Sequence, residues 1–445
     1  MSEKTTVITA TAQIDLPAHP TKKSYAELNP FSRPTEFFGP WGTAAITLCT
    51  PVLAYLIFFA CNDVAGCAPT SLRSVWRLVG DYPDAAGKLW EWKAAGVYVG
   101  WYVFCIVCEL VLPGERIQGN LLRDGSRKTY RMNGESVALA LTDGVPGALR
   151  RLLGCTTISC RSCLRVWRWR SSRRVGCMRG ATFQFFLGRP LNPTFPKFPT
   201  FDIKTFNEVR PGMILWLLLN ISCACEQYTR LGKLTDSMWI VLASQGWYVL
   251  DCLLQEHTIL NQMDITTDGF GFMLAFGDLT WVPFTYGLQA RFLAFNPVTL
   301  GPVATALVVG VEVAGMWIFR VANNEKANFR AGKNPKNLEF MQTDRGTKLL
   351  TSGWWGRSRH PNYFGDWLIA LGWCLPTGFH TPLTYFYLIY FIVLLVHRQA
   401  RDEEACRQKY GDKDWDRYCA KVKWKIVPIE HLVQTQPNKL LNGTR

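Results

Sequence analysis

The sequence predicts an all-α membrane protein, a polytopic bundle of eight to ten transmembrane helices. Two observations predict this class: long apolar runs without ionised side chains, and long polar connections between them. The first run, Phe37–Cys61, has no ionised side chain, and roughly 20 apolar residues suffice to cross a bilayer as a helix. Because backbone groups in lipid must be paired within their own segment, each run is expected to be helical.

Comparable runs recur along the 445-residue chain, and they make seven or eight spans directly visible. They are Ala94–Leu112, Met213–Tyr228, Met238–Leu254, Val298–Phe319, Phe364–Phe379, Leu383–Val396 and, more weakly, Gly269–Phe284. The mean hydropathy is near zero, since polar connections such as Arg116–Gly134 and Val321–Lys348 dilute the apolar runs.

Carboxylates inside or beside these runs point to a polar interior, because an acidic side chain in lipid is costly unless it faces a cavity or a partner. They are Glu109, Asp251, Glu256, Asp278, Glu312 and Asp366. For any one of them, a carboxylate at a helix end or in a salt bridge is an equally good interpretation.

Charge and cysteine content fit the membrane class. The formal net charge of +15 suits a nucleic-acid ligand or the cytoplasmic loops of a polytopic protein, and the apolar runs favour the second interpretation. The 15 cysteines are scattered and many lie in apolar runs, so we expect reduced thiols and no disulfide framework.

Residues 1–36 have no signal-peptide pattern and are expected to be a disordered tail before a retained anchor at Phe37–Cys61. Residues 429–445 are expected to form a second tail.

The segment Asp143–Arg179 differs from its surroundings, with nine arginines between Arg150 and Arg179 and no sustained periodicity. Its cysteines, Cys155, Cys160, Cys163 and Cys177, have a spacing that some iron–sulfur proteins use. In a cysteine-rich chain such spacing arises by coincidence, and we expect no metal. The simpler interpretations are an Arg-rich cytoplasmic loop or sequence not faithfully derived from the gene.

Three dense polar segments lie beside the last apolar runs: VANNEKANFR at Val321–Arg330, LLTSGWWGRSRHPNYFGDW at Leu349–Trp367 and LLVHRQARDEEACRQKYG at Leu394–Gly411. Their cationic and hydrogen-bonding groups suit phosphate oxygens and are Lys326, Arg330, Arg357, Arg359, His360, Arg398 and Arg401. Trp354 and Trp355 offer planar surfaces for a nicotinamide or adenine ring, although an interfacial aromatic belt explains them about equally well. The sequence therefore predicts a phosphorylated cofactor here.

The third polar segment is expected to continue a membrane helix beyond the lipid. If Phe391–Arg407 is one helix, Arg398 and Asp402 are spaced i, i+4 and share a face, as do His397 and Arg401. Charged pairs at this spacing usually lie on a solvent-exposed helix face. Because these pairs directly follow an apolar run, they are better interpreted as lining the mouth of a pocket. No Rossmann or Walker motif is present among these segments, so a nucleotide would bind by another architecture.

At these motifs the chain resembles the sterol reductases, a family that includes Δ14-sterol reductase, 7-dehydrocholesterol reductase, the C-24(28) sterol reductases and the membrane part of lamin B receptor. The resemblance covers LGRPLNP at Leu187–Pro193, FDIKTFNEVRPGMILW at Phe201–Trp216, MDITTDGFGFMLAFGDLTWVPFTYGLQARFL at Met263–Leu293, and Asn323 to about Pro428. Within the family these motifs look most like Δ14-sterol reductases, with Δ7 reduction the nearest rival. The short RHPNY element is also similar to isoprenylcysteine methyltransferases.

The resemblance implies a sterol substrate and NADPH, in a multi-pass protein of the endoplasmic reticulum membrane whose reductase domain spans 37–428. It places the cofactor region at 321–418, with NADPH contacted by Lys326, Arg330, Leu350, Trp355, His360, Asn362, Arg398, Asp402 and Tyr410. Abundant arginine agrees with NADPH rather than NADH, because the 2′-phosphate favours a cationic site.

The implied chemistry requires an acid, since an unactivated ring alkene accepts hydride only if it is also protonated. Tyr286 is the first choice for the proton donor, and Asp402 is a second participant in proton supply or cofactor orientation. A phenol has a pKa near ~10, so Tyr286 would need a coupled relay. A Tyr286 hydroxyl that only satisfies a buried neighbour is the structural alternative.

One departure from the family concerns the interval between Asn133–Gly134 and Leu187–Pro193, which ordinarily holds two further spans but here holds the Arg-rich segment. We expect Asp143–Arg179 to reflect a shifted reading frame, a retained intron or true divergence. An active reductase and a sterol-binding or scaffold homologue without turnover therefore both stay open. No residue pattern here predicts the oligomeric state.

Overall fold

The computed structural model describes residues 36–61, 66–67, 90–121, 127–139, 178–188, 191–195 and 198–428, and these are mostly helical. The helices are α1 (Gly39–Ala60), α2 (Trp92–Val111), α3 (Met178–Leu187), α4 (Ile203–Val209), α5 (Pro211–Leu231), α6 (Asp236–Leu254), α7 (Met263–Thr266), α8 (Phe272–Phe276), α9 (Val282–Thr285), α10 (Leu288–Phe295), α11 (Gly301–Arg330), α12 (Trp354–Arg357), α13 (Pro361–Cys374), α14 (Phe386–Tyr410) and α15 (Asp412–Lys421). The strands are β1 (Glu115–Leu121), β2 (Arg127–Met132), β3 (Thr194–Phe195), β4 (Phe198–Asp202), β5 (Phe340–Gln342) and β6 (Lys348–Leu350).

Within the described residues, six helical segments are long and apolar enough to cross a membrane. They are Glu36–Ala60, Trp92–Val111, Ile203–Leu231, Asp236–Leu254, Gly301–Arg330 and Pro382–Tyr410. Each overlaps most or all of one predicted apolar run, so the prediction of a long apolar helix is confirmed for these six runs. Large apolar side chains also face outward: on α11, Val303, Leu307 and Trp317 are 74%, 68% and 58% exposed, which is typical of a lipid-facing surface.

The run predicted at Gly269–Phe284 is helical but is not one regular α-helix. This stretch consists of α8, a π-helical turn at Gly277–Trp281 and α9. Pro283 lies at the start of α9, where its missing amide hydrogen costs nothing. The run predicted at Phe364–Phe379 is the short helix α13, which passes into a 3₁₀ turn at Leu375–Thr377 and ends at Gly378, whose φ is 68°.

The chain divides into two compact units, and the division falls inside α11, α13 and α14. The core unit contains the described residues up to Glu312 together with Ala370–Phe391. The carboxy-terminal unit contains Val313–Ile369 and the described residues from Ile392 onward.

Capping interactions fix the ends of the core-unit helices. Asp202 accepts a hydrogen bond from the backbone N–H of Thr205 at the start of α4 (2.8 Å), and Thr235 accepts one from Met238 at the start of α6 (3.3 Å). Helix α5 ends at Gly232, which adopts a left-handed conformation (φ 70°). Side chains of these types satisfy amides that a helix end leaves unpaired.

A buried network of one arginine and two glutamates joins four segments of the core unit. The Arg210 guanidinium contacts Glu256 at 2.6 Å and Glu109 at 3.2 Å, and donates to the Asn133 side-chain oxygen at 2.7 Å. Glu256 also accepts from the Gly134 amide at 2.9 Å. For Glu109 and Glu256 the salt-bridge interpretation is therefore correct.

Three antiparallel two-stranded sheets, β1–β2, β3–β4 and β5–β6, occur among the described residues, and the sequence analysis predicted none of them. Lys128 on β2 forms an ion pair with Asp202 at the end of β4, and Asn192 donates to the Tyr130 hydroxyl at 2.7 Å. These contacts attach the β1–β2 hairpin to the segment that leads into α4.

Cysteine pairing differs from the expectation in one place. Cys61 and Cys67 form a disulfide directly after α1, so the prediction of reduced thiols is wrong for this pair. Nine cysteines of the described residues are free thiols. Residues 1–35, 143–177 and 429–445 lie outside the described residues, and so do the two tails and the four cysteines of the Arg-rich segment.

In the carboxy-terminal unit, α11 and α13 cross at two glycines. A Cβ on Gly315 would lie 2.8 Å from the Ile369 nitrogen, and one on Gly365 would lie 2.7 Å from the Phe319 nitrogen. Both obstacles are backbone atoms, which cannot move aside as a flexible side chain can. Glycine at both positions therefore permits the close approach that places the start of α13 beside α11.

Candidate functional site

Lys326 and Trp355 meet in the carboxy-terminal unit. The Trp355 side chain is buried, and its indole N–H donates to the Ala322 carbonyl oxygen at 2.7 Å, which fastens α12 to α11. The Lys326 ammonium lies 4.1 Å from the centroid of the Trp355 ring, within the range of a cation–π interaction. The sequence prediction that these two residues share a site is thus compatible with their geometry.

Glu325 stabilises the segment between α11 and α12, which includes Leu350. Its carboxylate pairs with Lys336 at 2.9 Å and accepts from the Trp354 amide at 3.0 Å. Gly353 lies against this carboxylate and has a φ of 65°. A Cβ at this position would lie 2.9 Å from the Glu325 Oε2 atom. The connection between α11 and α12 is therefore anchored at both ends, and Leu350, on β6, is 7% exposed.

His360 and Asn362 each present a buried polar atom without a partner. Among the described residues, the His360 Nε2 and Asn362 Oδ1 atoms have no hydrogen-bond partner. Burial, followed by the positive charge of Lys326, lowers the pKa of His360 to about 3, so the imidazole is neutral at physiological pH. Unsatisfied buried polar atoms are uncommon in folded proteins, and polar groups of a ligand would satisfy these two.

Tyr363 connects His360 to Asp402. Its ring stacks on the His360 imidazole with a centroid separation of 5.0 Å and an interplanar angle of 12°. Its hydroxyl donates to the Asp402 Oδ2 atom at 2.7 Å. The prediction that Phe391–Arg407 is one helix is confirmed, because α14 is continuous through Asp402.

Arg359 has a structural role. Its guanidinium contacts Glu403 at 2.6 Å and donates to the carbonyl oxygens of Val422 and Lys423 at 2.7 and 3.1 Å. The Arg359 amide also donates to the Trp424 carbonyl at 2.9 Å. This side chain is thus fully engaged in joining the segment Val422–Trp424 to α14, although the sequence analysis grouped it with the phosphate-binding cations.

No carboxylate lies at ion-pair distance from Lys326, Arg330 or Lys409 in the part of the chain that the structure describes. Arg330 is exposed at the end of α11 and is an electrostatic neighbour of Lys326, Lys409 and Tyr410. A cluster of like charges without counter-ions is unfavourable unless an anion binds there.

The nine predicted cofactor residues all lie in this one unit. Asp402 is an electrostatic neighbour of Lys326, and Arg398 is one of Tyr363 and Asp366. Tyr410 stacks on Trp415 at 6.1 Å. Sequence reasoning missed Tyr363 and Lys409: both stand inside the quoted motifs, but only their side-chain surroundings single them out.

Tyr286 lies in the core unit within an aromatic cluster. Its ring centroid is 4.5 Å from that of Tyr387 and 5.4 Å from that of Trp216. Gln245 donates to the Tyr286 carbonyl oxygen at 3.2 Å and to the Gln289 side-chain oxygen at 3.2 Å. The Tyr286 backbone is therefore held by a buried amide network, and its ring by packing on other rings.

The amino-acid sequence of this chain matches the model of one protein family. Residues 32–150 and 167–431 match the model of the Ergosterol biosynthesis ERG4/ERG24 family. The unmatched interval, 151–166, falls inside the Arg-rich segment.

Similar relatives are named Delta(14)-sterol reductases and come from three yeasts. That of Schizosaccharomyces pombe is 43% identical over 420 residues, covering 88% of this chain and 96% of the relative. Those of Candida albicans and Saccharomyces cerevisiae are each 40% identical, over 451 and 447 residues, covering 91% and 90% of this chain and 99% and 98% of the relatives. The chain belongs to the ERG4/ERG24 family of ergosterol biosynthesis.

Proposed function

We propose that this chain reduces the 14,15 double bond of a sterol intermediate with NADPH, as a multi-pass protein of the endoplasmic reticulum membrane. The observation that carries the proposal is the 40–43% identity to Delta(14)-sterol reductases over about nine-tenths of the chain. The proposed architecture is one reductase domain over residues 37–428, with tails at 1–36 and 429–445 and eight to ten spans. These include the six long apolar helices.

The carboxy-terminal unit has the donor set that NADPH needs. Lys326, Arg330 and Lys409 supply positive charge without paired carboxylates among the described residues, which suits the phosphates of the cofactor and its 2′-phosphate in particular. The unpartnered His360 Nε2 and Asn362 Oδ1 atoms suit its polar groups. We assign Leu350, Trp355, Arg398, Asp402 and Tyr410 to the same binding site.

NADPH supplies a hydride when it is bound. The alkene must gain a proton as well, and the chemistry decides where each hydrogen goes: a proton added to C15 leaves the positive charge on C14, which is tertiary. We assign Tyr286 as the proton donor to C15. Asp402, which accepts a hydrogen bond from Tyr363, orients the cofactor through a fixed charge on α14.

Sterol profiles of cells that lack Δ14-sterol reductase test the proposal. Expression of this chain should remove the accumulated 8,14-dienes, whereas the Asp402→Ala variant should leave them. Asp344→Ala is the matched control, because Asp344 is an exposed aspartate of the same unit. Persistence of the dienes at normal protein level would contradict Δ14 reduction, and the concurrent loss of 7-unsaturated sterols would instead indicate Δ7 reduction.

A further inference from the structure

The Gln245 side chain on α6 is fully buried and uses every hydrogen-bonding position of its amide group. Its Oε1 atom accepts from the Trp216 indole N–H at 3.1 Å and from the Asn220 amide at 2.6 Å. Its Nε2 atom donates to the Tyr286 carbonyl oxygen and to the Gln289 Oε1 atom, each at 3.2 Å. A side-chain amide offers two donors and one oxygen with two lone pairs, so these four bonds fix the orientation of Gln245.

The partners of Gln245 belong to different segments of the core unit. Trp216 and Asn220 lie one turn apart on α5, and Gln289 lies on α10. Gln289 in turn donates to the Thr384 carbonyl oxygen at 3.1 Å, in the 3₁₀ turn before α14. These side chains are at most 1% exposed, and a buried hydrogen-bond network in which the members satisfy one another makes its surroundings rigid. Gln245 therefore lies where α5, α6 and α10 are joined.

Tyr286 lies between α9 and α10, where a helix end leaves carbonyl oxygens without intrahelical partners. Gln245 supplies a donor to the Tyr286 carbonyl from a neighbouring helix. The next residue, Gly287, lies against the same network, because a Cβ at this position would lie 2.5 Å from the Asn220 Oδ1 atom. Glycine here permits the amide network to approach the chain directly beside Tyr286.

The Tyr286 ring depends on the same network through Trp216. The two rings meet edge to face, with centroids 5.4 Å apart and an interplanar angle of 85°, and this indole is the one that donates to Gln245. The Tyr286 side chain is only partly buried, and its hydroxyl makes no hydrogen bond within the described residues. The hydroxyl is thus available to a substrate, while the backbone and ring that carry it are held from Gln245.

We propose that Gln245 is a positioning residue for Tyr286, an inference that rests on the proposed function. Gln245 need not touch the sterol. It holds the Tyr286 carbonyl directly and the ring through Trp216, and so fixes the distance and angle at which the phenol meets C15. Correct placement of a reacting group is a large part of catalysis, and an error of about 1 Å can lower the rate about 100-fold.

Steady-state kinetics of the purified, detergent-solubilised enzyme with an 8,14-diene sterol and NADPH test this inference. Gln245→Glu keeps the shape of the side chain and an oxygen for Trp216 and Asn220. A carboxyl group has at most one proton to donate, where Tyr286 and Gln289 now receive two. We expect kcat to fall by about 10-fold, with an unchanged KM for NADPH.

A double-mutant cycle with Tyr286→Phe separates positioning from a general effect on the fold. Residues that act as a unit are strongly non-additive, so Gln245→Glu should lower kcat no further once the Tyr286 hydroxyl is absent. The matched control is Gln227→Glu, at a buried glutamine of the core unit that donates to the Leu293 carbonyl oxygen at 2.7 Å. Any loss of kcat in this control should be the same in both backgrounds.

Asn220→Ala is the second variant, and it decides the matter if Gln245→Glu does not fold. It removes the 2.6 Å bond to Gln245 without adding volume or charge. It should lower kcat by about 3-fold, and this loss should also vanish in the Tyr286→Phe background.

Wild-type kcat in the folded variants, or losses that multiply in full with that of Tyr286→Phe, would overturn the positioning role of Gln245. Wild-type kcat in Tyr286→Phe would also overturn it, because the phenol would then have no part in the reaction. A wild-type enzyme that binds NADPH but does not reduce the diene would instead overturn the proposed function.

Discussion

The Tyr363 hydroxyl donates a 2.7 Å hydrogen bond to the Asp402 carboxylate, and the same Tyr363 ring stacks on the His360 imidazole. The Tyr363 side chain on α13 therefore contacts both Asp402 on α14 and His360, which is proposed to bind the cofactor. Tyr363→Phe keeps the stack but removes the hydrogen bond to a charged group. We expect KM for NADPH to rise about 10-fold, the loss of roughly 1.4 kcal/mol, with kcat less affected. Tyr385→Phe in the core unit is the matched control, and equal effects of the two substitutions would contradict a specific role for Tyr363.

Removing the unpaired positive charges should weaken NADPH binding selectively. Lys326→Met and Arg330→Met each take away a cation that no carboxylate pairs with among the described residues. Binding titrations should show the Kd for NADPH rising about 10-fold in at least one variant, with a smaller change for NADH, because the 2′-phosphate is the group that differs. Lys333→Met, at an exposed lysine next to α11, should bind like the wild type. An equal loss for both nucleotides would place the two cations elsewhere than at the 2′-phosphate.

Arg359 should matter for stability more than for cofactor affinity. Arg359→Ala leaves the Glu403 carboxylate and two carbonyl oxygens without their donor, and breaking such a buried pair costs about 3–5 kcal/mol. A thermal melt followed by tryptophan fluorescence should show a clearly lower Tm. The control is Arg407→Ala, because Arg407 makes exposed ion pairs with Asp412 and Asp416 that contribute about 0–1 kcal/mol. A wild-type Tm for Arg359→Ala would show that the segment after α15 is not held by this side chain.

His360 should make the fold sensitive to acid. Its pKa is about 3 in the folded protein and about 6.5 when unfolded, so between these values the unfolded chain binds more protons and stability falls as pH falls. The Tm of the wild type should therefore drop more steeply from pH 6.5 to pH 4.5 than that of His360→Gln. His380→Gln, at an exposed histidine, should keep the wild-type slope. Identical slopes for the wild type and His360→Gln would mean that this imidazole is not held neutral.

The crossing of α11 and α13 should tolerate no added side-chain volume. Gly365→Val would place carbon atoms against the backbone of Phe319 and Gly315, and overpacking of this kind costs about 1–3 kcal/mol or more. Gly310→Val is the matched control on α11, because no atom lies within 4 Å of a Cβ at that position. A lower yield of folded protein and a lower Tm are expected for Gly365→Val alone, and a normal Tm would contradict the close approach.

The sequence predicted the six long spans because each is a continuous apolar run, and run length alone identifies such helices. It did not predict the π-helical turn at Gly277–Trp281, because such a turn depends on contacts with residues distant in sequence, here Gly212 and Tyr98. The disulfide was not predicted either, because a spacing of six residues does not show that Cys61 and Cys67 meet in the fold.

For the candidate site, too, the sequence predicted features that depend on motifs but not those that depend on side-chain contacts. The motifs that contain Lys326, Trp355, His360, Asn362 and Asp402 lie in one unit of the fold, and their shared role in cofactor binding stays a prediction. Motifs could not separate Arg359, a buried structural cation, from Arg330, which is exposed and unpaired. Residue type fixes the charge of a group, whereas its role depends on partners that only the fold supplies.

Deuteride transfer by the purified protein distinguishes Δ14 reduction from sterol binding without turnover. An 8,14-diene sterol is incubated with the detergent-solubilised enzyme and NADPH that carries deuterium at both C4 positions, and the product is analysed by mass spectrometry and NMR. Reduction at the 14,15 bond predicts a product with one deuterium at C14 and solvent hydrogen at C15. Recovery of the unreduced diene from a folded, NADPH-binding protein would contradict Δ14 reduction by this chain.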